Sequence, residues 1–321
     1  MQYTAGFSGQ LSPDAVLARI NEALYEEFTR EKNPSYLSAT DSMFFQQGPT
    51  VGAGFIWDED SNVGAFQETG ELEQIVSSNT FVGNSKTVLS QKWTKRIAIS
   101  DEAFRADMIG KRAQIGKNVG DRARMTRDRE ALLRSYGDSF AGSINTTPDG
   151  QPLASNSHVA LGSGATVDNL ETGSLTPDNL WTGVNSLANQ RAQDGDAGGH
   201  LFEGFLTNFN LYKTAKEVMG SPLVANSGEN NLNIFETEYG EVQIRASIFL
   251  NTQYNTATNA ATSFHLIGRN HQVIRKEFYG LTTSMLGPEY TDNDAHLLTS
   301  KYHEVVFPGS WTGYVGHNGT T

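Results

Sequence analysis

The residues that could carry out a reaction are scattered along this chain without the spacings that catalysis needs. A serine nucleophile at a strand-to-helix elbow requires G-x-S-x-G, and "GDSFAG" at Gly137–Gly142 is one residue too long, so it reads as a solvated loop. A phosphate cradle needs regularly spaced glycines and, in the P-loop, a lysine; "GPTVGAGF" at Gly48–Phe55 has neither the spacing nor the Lys. "DGDAGG" at Asp194–Gly199 resembles the start of a calcium loop but lacks the later ligating Glu, which leaves a turn. The seven histidines (His158, His200, His265, His271, His296, His303, His317) fall into no H-E-x-x-H or comparable ligand pattern and read as surface or packed side chains. An acid pair such as Glu71 with Glu73 could be called catalytic, yet it belongs to a segment with seven acids whose simpler reading is solvated or partner-facing charge. There is no cysteine, which excludes disulfides, thiolate metal sites and cysteine nucleophiles. No enzymatic activity, cofactor or metal is expected.

The elements that surround these residues are better marked than any site. A first helix starts with Ser12 as N-cap, Pro13 at N1 and Asp14 in the first turn, carries Val16, Leu17, Ile20, Leu24 and Phe28 on one face, and ends near Arg30. From Lys32 to Asn84 helix signals are few and Gly, Ser and Asn many, which predicts an extended arm and a long loop. Leu89, Trp93, Ile97 and Ile99 mostly alternate with polar residues, so Thr87 to Ile99 reads as a strand. Ser100 caps a long helix, with Asp101 and Glu102 at the positive end of its dipole. That helix is expected from about Asp101 to Tyr136, roughly 50 Å at 1.5 Å per residue. Phe104, Met108, Ile115, Val119 and Leu133 form its apolar stripe, Lys117, Arg124 and Arg127 lie far from the stripe, and Lys111, Arg122 and Arg129 border it. Gly137 to Ser174 reads as loop with short extended pieces, Thr176–Pro177 starts a helix bearing Leu180, Trp181, Val184 and Leu187, and Phe202–Leu206 is a strand. A helix over Asn210–Met219, an alternating strand over Glu241–Leu250 and terminal strands complete an α+β chain.

Composition supports a folded protein: 321 residues, 37% hydrophobic, with 17 Phe and 32 Gly. The N-terminus lacks a basic start and apolar middle and no run of about 18 apolar residues occurs, so a soluble, cytoplasmic chain is expected. Net charge is −12, which argues against broad gripping of nucleic-acid phosphates. Its distribution is uneven. Pro34 to Ser85 holds seven acids (Asp41, Asp58, Glu59, Asp60, Glu68, Glu71, Glu73) and no Lys or Arg, whereas Lys86 to Arg134 holds 13 Lys or Arg against six acids. Such adjacent segments can pair within a chain or between copies.

"KWTKRIAISDEAF" (Lys92–Phe104), "DGQPLASNSH" (Asp149–His158), "LTPDNLWTGVNSL" (Leu175–Leu187) and "FLTNFNLYKTAKEVMGSPL" (Phe205–Leu223), in this order, resemble the major capsid proteins of tailed bacteriophages. These have the Hong Kong 97-type fold, and the likeness is narrowest to the Mu-type major head proteins. The resemblance implies an N-terminal arm (residues 1–54), an E-loop hairpin (55–100), a spine helix with P-domain (101–169), an A-domain (170–275) and P-domain return strands (276–321). It implies hexamers and pentamers of the chain forming an icosahedral virion head around double-stranded DNA, held without sequence-specific binding and assembled in the host cytoplasm. In that arrangement Asp58, Glu59, Asp60, Phe66, Glu68, Glu71, Glu73 and Phe81 of the loop lie across a neighbouring copy. Lys111, Arg112, Lys117, Arg122, Arg124, Arg127 and Arg129 are then the basic residues of its spine helix. Gly110, Gly116 and Gly120 are positions where that helix can bend, or where another backbone packs closely. The Lys to Asn crosslink of the namesake phage is not expected, since no Lys occurs from Pro34 to Ser85. Scaffolding from a separate protein, a portal and decoration proteins complete the implied partners; no membrane is among them. The competing readings are an encapsulin-type shell protein, a decoration or tail protein, and a cytoplasmic hydrolase with an unrecognised site.

Overall fold

The structure, a computed structural model, describes residues 13–30, 36–49, 52–60, 82–102, 111–222, 233–251, 261–287 and 294–319. In chain order the elements are α1 (Pro13–Thr29), β1 (Gln46–Gln47), β2 (Gly54–Asp60), β3 (Val82–Leu89), β4 (Gln91–Ser100), α2 (Lys111–Leu133), β5 (His158–Val159), β6 (Thr166–Val167), β7 (Leu170–Glu171), α3 (Pro177–Asn189), β8 (Phe202–Asn208), α4 (Tyr212–Gly220), α5 (Ile234–Tyr239), β9 (Gln243–Ser247), β10 (Phe264–Gly268), β11 (Val273–Leu286), β12 (Ala295–Pro308) and β13 (Tyr314–His317). Two units are present: one holds Met1–Lys32, Ser90–Arg127 and Glu277–Glu304, the other Asn33–Leu89, Asp128–Lys276 and Val305–Thr321. Helix α2 and strands β11 and β12 contribute to both.

In the first unit β4 pairs antiparallel with β12, from Gln91 opposite Glu304 to Ser100 opposite Ala295. One face of this sheet carries Ile97, Ile99, Leu298 and Tyr302, and α1 and α2 cover it with Ile20, Leu24, Ile115 and Val119. The opposite face, with Lys92, Thr94, Arg96 and Lys301, is exposed, as the alternation of an antiparallel strand requires. Helices α1 and α2 approach closely at two glycines. A Cβ on Gly116 would lie 2.5 Å from the Ile20 carbonyl oxygen, and one on Gly120 would lie closer still to that of Leu24. Only a residue without a side chain allows backbones to meet so closely.

In the second unit a five-stranded sheet has the order β7-β13-β10-β8-β9. Both of its faces are buried. Phe205, Phe264, Leu266 and Val315 point to a core with Leu180, Val184 and Leu187 of α3 and Ala215 and Val218 of α4. Leu206, Ile267 and Tyr314 point to a second core with Phe44, Phe45, Leu132, Tyr136 and Leu153. This double burial is why β8 and β10 do not alternate between buried and exposed positions. Thr176 caps α3 through its hydroxyl, which accepts the Asn179 N–H at 3.2 Å.

Several sequence expectations shift. The extended stretch expected over Thr87–Ile99 is two strands interrupted at Ser90, and the Glu241–Leu250 strand is shortened to Gln243–Ser247 before a 3₁₀ turn at Ile248–Leu250. Helix α2 ends at Leu133, ahead of Tyr136, which opens a 3₁₀ turn. Ser12 and residues 103–110 lie outside the described residues. Helix α5, capped by Asn233 on the Phe235 N–H, escaped the sequence reading because six residues are too few to show a period.

Candidate functional site

Strands β2 and β3 form an antiparallel hairpin base, with Phe55 opposite Val88, Trp57 opposite Lys86 and Asp58 opposite Ser85. Period-two alternation sorts its residues. Phe55, Trp57 and Glu59 turn inward, while Ile56, Asp58 and Asp60 face out. Inside, Phe55 and Trp57 set their rings edge-on against Phe307, at 5.7 and 5.5 Å. The Trp57 indole N–H donates to the Gly309 carbonyl at 2.9 Å. Lys276 places its ammonium 4.7 Å from both rings, a cation–π contact in which burial lowers the lysine's proton affinity. Lys86 donates to the Thr146 carbonyl, and burial pulls its pKa down to about 8. The base of the hairpin is thereby fixed to its own chain at four separate points.

Glu59 is as deeply buried as Val88 in the hairpin base, only 4% exposed. Its Oε1 accepts from Gln193 Nε2 at 2.5 Å, and Gln193 also reaches the Ser310 hydroxyl at 3.0 Å. The expected outward acid at this position is therefore an internal one. Asp58 and Asp60 do lie on the surface, next to Ile56 and Leu89, which are 66% and 68% exposed. Ile56 faces Thr87 and Leu89 faces Gly54, so the two apolar side chains are diagonal neighbours on one face. Phe66, Glu68, Glu71, Glu73 and Phe81 lie outside the described residues.

On α2 the basic residues have different surroundings. Lys117 is exposed, Arg124 pairs with Asp121 at 2.9 Å and Arg129 with Glu130 at 2.6 Å. Arg127 corrects the helical projection. It is buried at 4% exposure, with its guanidinium 4.2 Å above the Phe28 ring of α1, because an aromatic face can receive a planar cation that a water-facing stripe model leaves outside. The side chains of Lys111 and Arg112, and all of Gly110, lie outside the described residues. An open groove of about 440 Å³ runs between α2 and the sheet, lined by Trp93, Ile97, Val119, Leu281 and Tyr302, with Lys95 and Arg122 adding positive charge.

Among the described residues two side-chain pairs have parts of a reaction centre. In the first, the Ser90 hydroxyl lies 3.0 Å from His303 Nε2, whose ring meets Phe278 and Tyr279 edge-on. Asp149 and His158 form a close pair, Oδ2 to Nδ1 2.7 Å, but His158 is fully buried and its Nε2 faces the Leu153 carbonyl at 3.3 Å. No hydroxyl nucleophile faces that ring among the described residues. Burial pushes Asp149 up, yet its hydrogen bond to His158, the His158 charge, Thr147 and the Gln151 N–H together hold it below the ordinary carboxylate range. Among the described residues no group of three His, Asp or Glu side chains is arranged to hold a metal, and no helix is long and apolar enough to cross a membrane. Sequence reasoning missed Lys276, Gln193 and Ser310. The inward position of Glu59 was visible only as the third member of the Phe55, Trp57, Glu59 alternation.

No protein-family model and no curated protein matches the chain. Solved structures do. The mature capsid of bacteriophage PhiM1 is similar with a TM-score of 0.57 at 11% identity, over 90% of this chain and 89% of that one. The capsid of the native GTA particle gives 0.56 at 10% identity, over 91% and 94%. The virus-like particle from Pyrococcus furiosus gives 0.52 at 10% identity, over 94% and 98%. The chain has the Hong Kong 97-type capsid fold, a mixture of helix and strand.

Proposed function

We propose that this chain is the major capsid protein of a tailed bacteriophage, assembling into hexamers and pentamers that form an icosahedral head around double-stranded DNA. The observation that carries the reading is the capsid fold, matched over about nine-tenths of this chain and of the PhiM1 capsid chain.

In this reading β2 and β3 are the base of an E-loop that lies across a neighbouring copy. Asp58, Asp60, Ile56 and Leu89, together with Phe66, Glu68, Glu71, Glu73 and Phe81, make the contact. Helix α2 of the neighbour, with Lys111, Arg112, Lys117, Arg122, Arg124 and Arg129, receives it, and the groove at Trp93 and Val119 offers an apolar seat. Glu59 and Arg127 serve their own chain. Exposed ion pairs contribute only ~0.2–1 kcal/mol each, so they set register, while apolar burial at about 25 cal/mol per Å² supplies most of the attraction. The DNA is enclosed without sequence-specific contacts, and a separate scaffolding protein and a portal are the further partners, with decoration proteins outside. The domain boundaries at 54, 100, 169 and 275 belong to the same proposal.

The second reading is an encapsulin-type shell, favoured by the likeness to the Pyrococcus furiosus particle, of whose chain 98% is covered. Negative-stain electron microscopy of the chain expressed alone, or with its neighbouring genes, tests both. Closed shells are expected, double-stranded DNA within native particles selects the phage head, and monomers or dimers under both conditions remove both readings.

A further inference from the structure

The hairpin base contains an arrangement that assembly alone does not require. The pairing of β2 with β3 shifts register between Asp58 and Asp60, so that Gly83 and Asn84 stand opposite the single residue Glu59. The extra residue lies on β3, and Glu59, turned inward by the same alternation as Phe55 and Trp57, is a carboxyl only 4% exposed whose Oε2 meets no hydrogen-bond partner.

We propose that Glu59 is a proton-operated latch that holds the base of the hairpin: neutral, it keeps β2 and β3 seated, and ionised, it loosens them. A buried carboxylate is costly unless a cation or a full set of donors meets it. The groups that face Glu59 supply donors and no dedicated cation. Gln193 bonds it at 2.5 Å, and Ser310 and Asn84 of β3 bring further donors toward it. Asp149 adds a negative charge, and His158, the nearby base, is already bonded to Asp149 at 2.7 Å. On its own strand Asp58 and Asp60 face solvent. Lys86 of β3 is engaged by the Thr146 carbonyl and Lys276 by the rings of Phe55 and Trp57. Asp194, beside Gln193, accepts the Asp196 N–H. Burial, with Asp149 adding to it, raises the Glu59 carboxyl above the ordinary glutamate range against the hydrogen bonds and His158.

The sign comes from linkage. A carboxyl raised in the seated state favours seating fully at low pH, and that preference fades as pH rises from about 4.5 until the group is ionised in both states. Lys86 and Asp149 do not imitate this. Lys86, lowered to about 8, is charged in both states well below that pH, and its effect, which favours seating as pH rises, is confined to the alkaline end. Asp149, held low, titrates below the window.

Hydrogen exchange of the full, dispersed chain between pH 5 and 8, corrected for intrinsic exchange, tests the latch without depending on shell formation. Opening of the amides in 54–60 and 82–89 should increase with pH, by up to about tenfold per unit, and the profile of Glu59→Gln should be flat. A flat wild-type profile overturns the latch, as does an unchanged slope in Glu59→Gln. If that variant does not fold, the wild-type profile is compared with that of His158→Gln, which removes the neighbouring imidazole: a rise with pH that persists there belongs to Glu59, and one that disappears overturns the latch. Failure of shell assembly with the pH slope intact removes the capsid reading and leaves the latch.

Discussion

Gly116 of α2 lies directly against the Ile20 carbonyl of α1, so near that an added Cβ would come within 2.5 Å of the oxygen. Four residues on, Gly120 meets Leu24 in the same way, and this repeat keys the two helices together one turn apart. The contact opposes the usual logic of helix glycines. In an open helix, Gly→Ala gains about 0.5–1 kcal/mol.

At Gly116 or Gly120, alanine should cost about 1–3 kcal/mol, since backbone on the other side cannot yield as a flexible side chain can. Gly220, with nothing within 4 Å of its added Cβ, is the control and should tolerate alanine. Thermal denaturation of the three variants checks this. Equal stability throughout would show that α1 does not rest on these glycines, and the bend proposed for Gly110, Gly116 and Gly120 would then be their remaining role.

Trp57→Phe keeps an aromatic ring against Phe307 but deletes the donor to the Gly309 carbonyl. The expected loss is about 1–2 kcal/mol, from the missing hydrogen bond and the unfilled volume. Chemical denaturation reads the total. Exchange at β2 and β3 should speed more than exchange at β8 or β10.

Stability should fall with acid. His265 is pulled down to about 3, and His271 and His317 to about 4, chiefly because burial penalises the imidazolium. The sign is fixed by proton uptake on unfolding: between these values and the ordinary 6.5 the unfolded chain binds more protons, so unfolding free energy rises with pH there and levels off above it. Each group contributes at most about 1.4 kcal/mol per pH unit across that range. Urea midpoints at pH 4, 5, 6 and 7 check the slope, and His317→Phe, which places a ring where the imidazole stacks on Phe264, should flatten it.

Ile56→Asp combined with Leu89→Asp should leave the isolated subunit within about 0.5 kcal/mol of wild type, because both side chains already face water. Under the capsid reading the same double change abolishes shells seen by electron microscopy. Normal shells would move the intersubunit contact away from this face of the hairpin.

Helix α3 was legible because Thr176, Pro177 and the spacing of Leu180, Val184 and Leu187 are local signals that act through the backbone of one segment. The first helix, the long helix and the extended character of Thr87–Ile99 were available from the sequence for the same reason: capping and alternation are short-range, whereas the break at Ser90 that divides that stretch into β3 and β4 is marked by neither. Tertiary structure alone decided the rest. Whether Arg127 faces water or Phe28, whether Glu59 belongs to the surface with Asp58 or to the interior with Gln193, and why Gly116 must be glycine all depend on groups more than ninety residues away. Burial sets the energy of a charge and close approach sets the need for glycine, and neither quantity is written in the order of neighbouring residues.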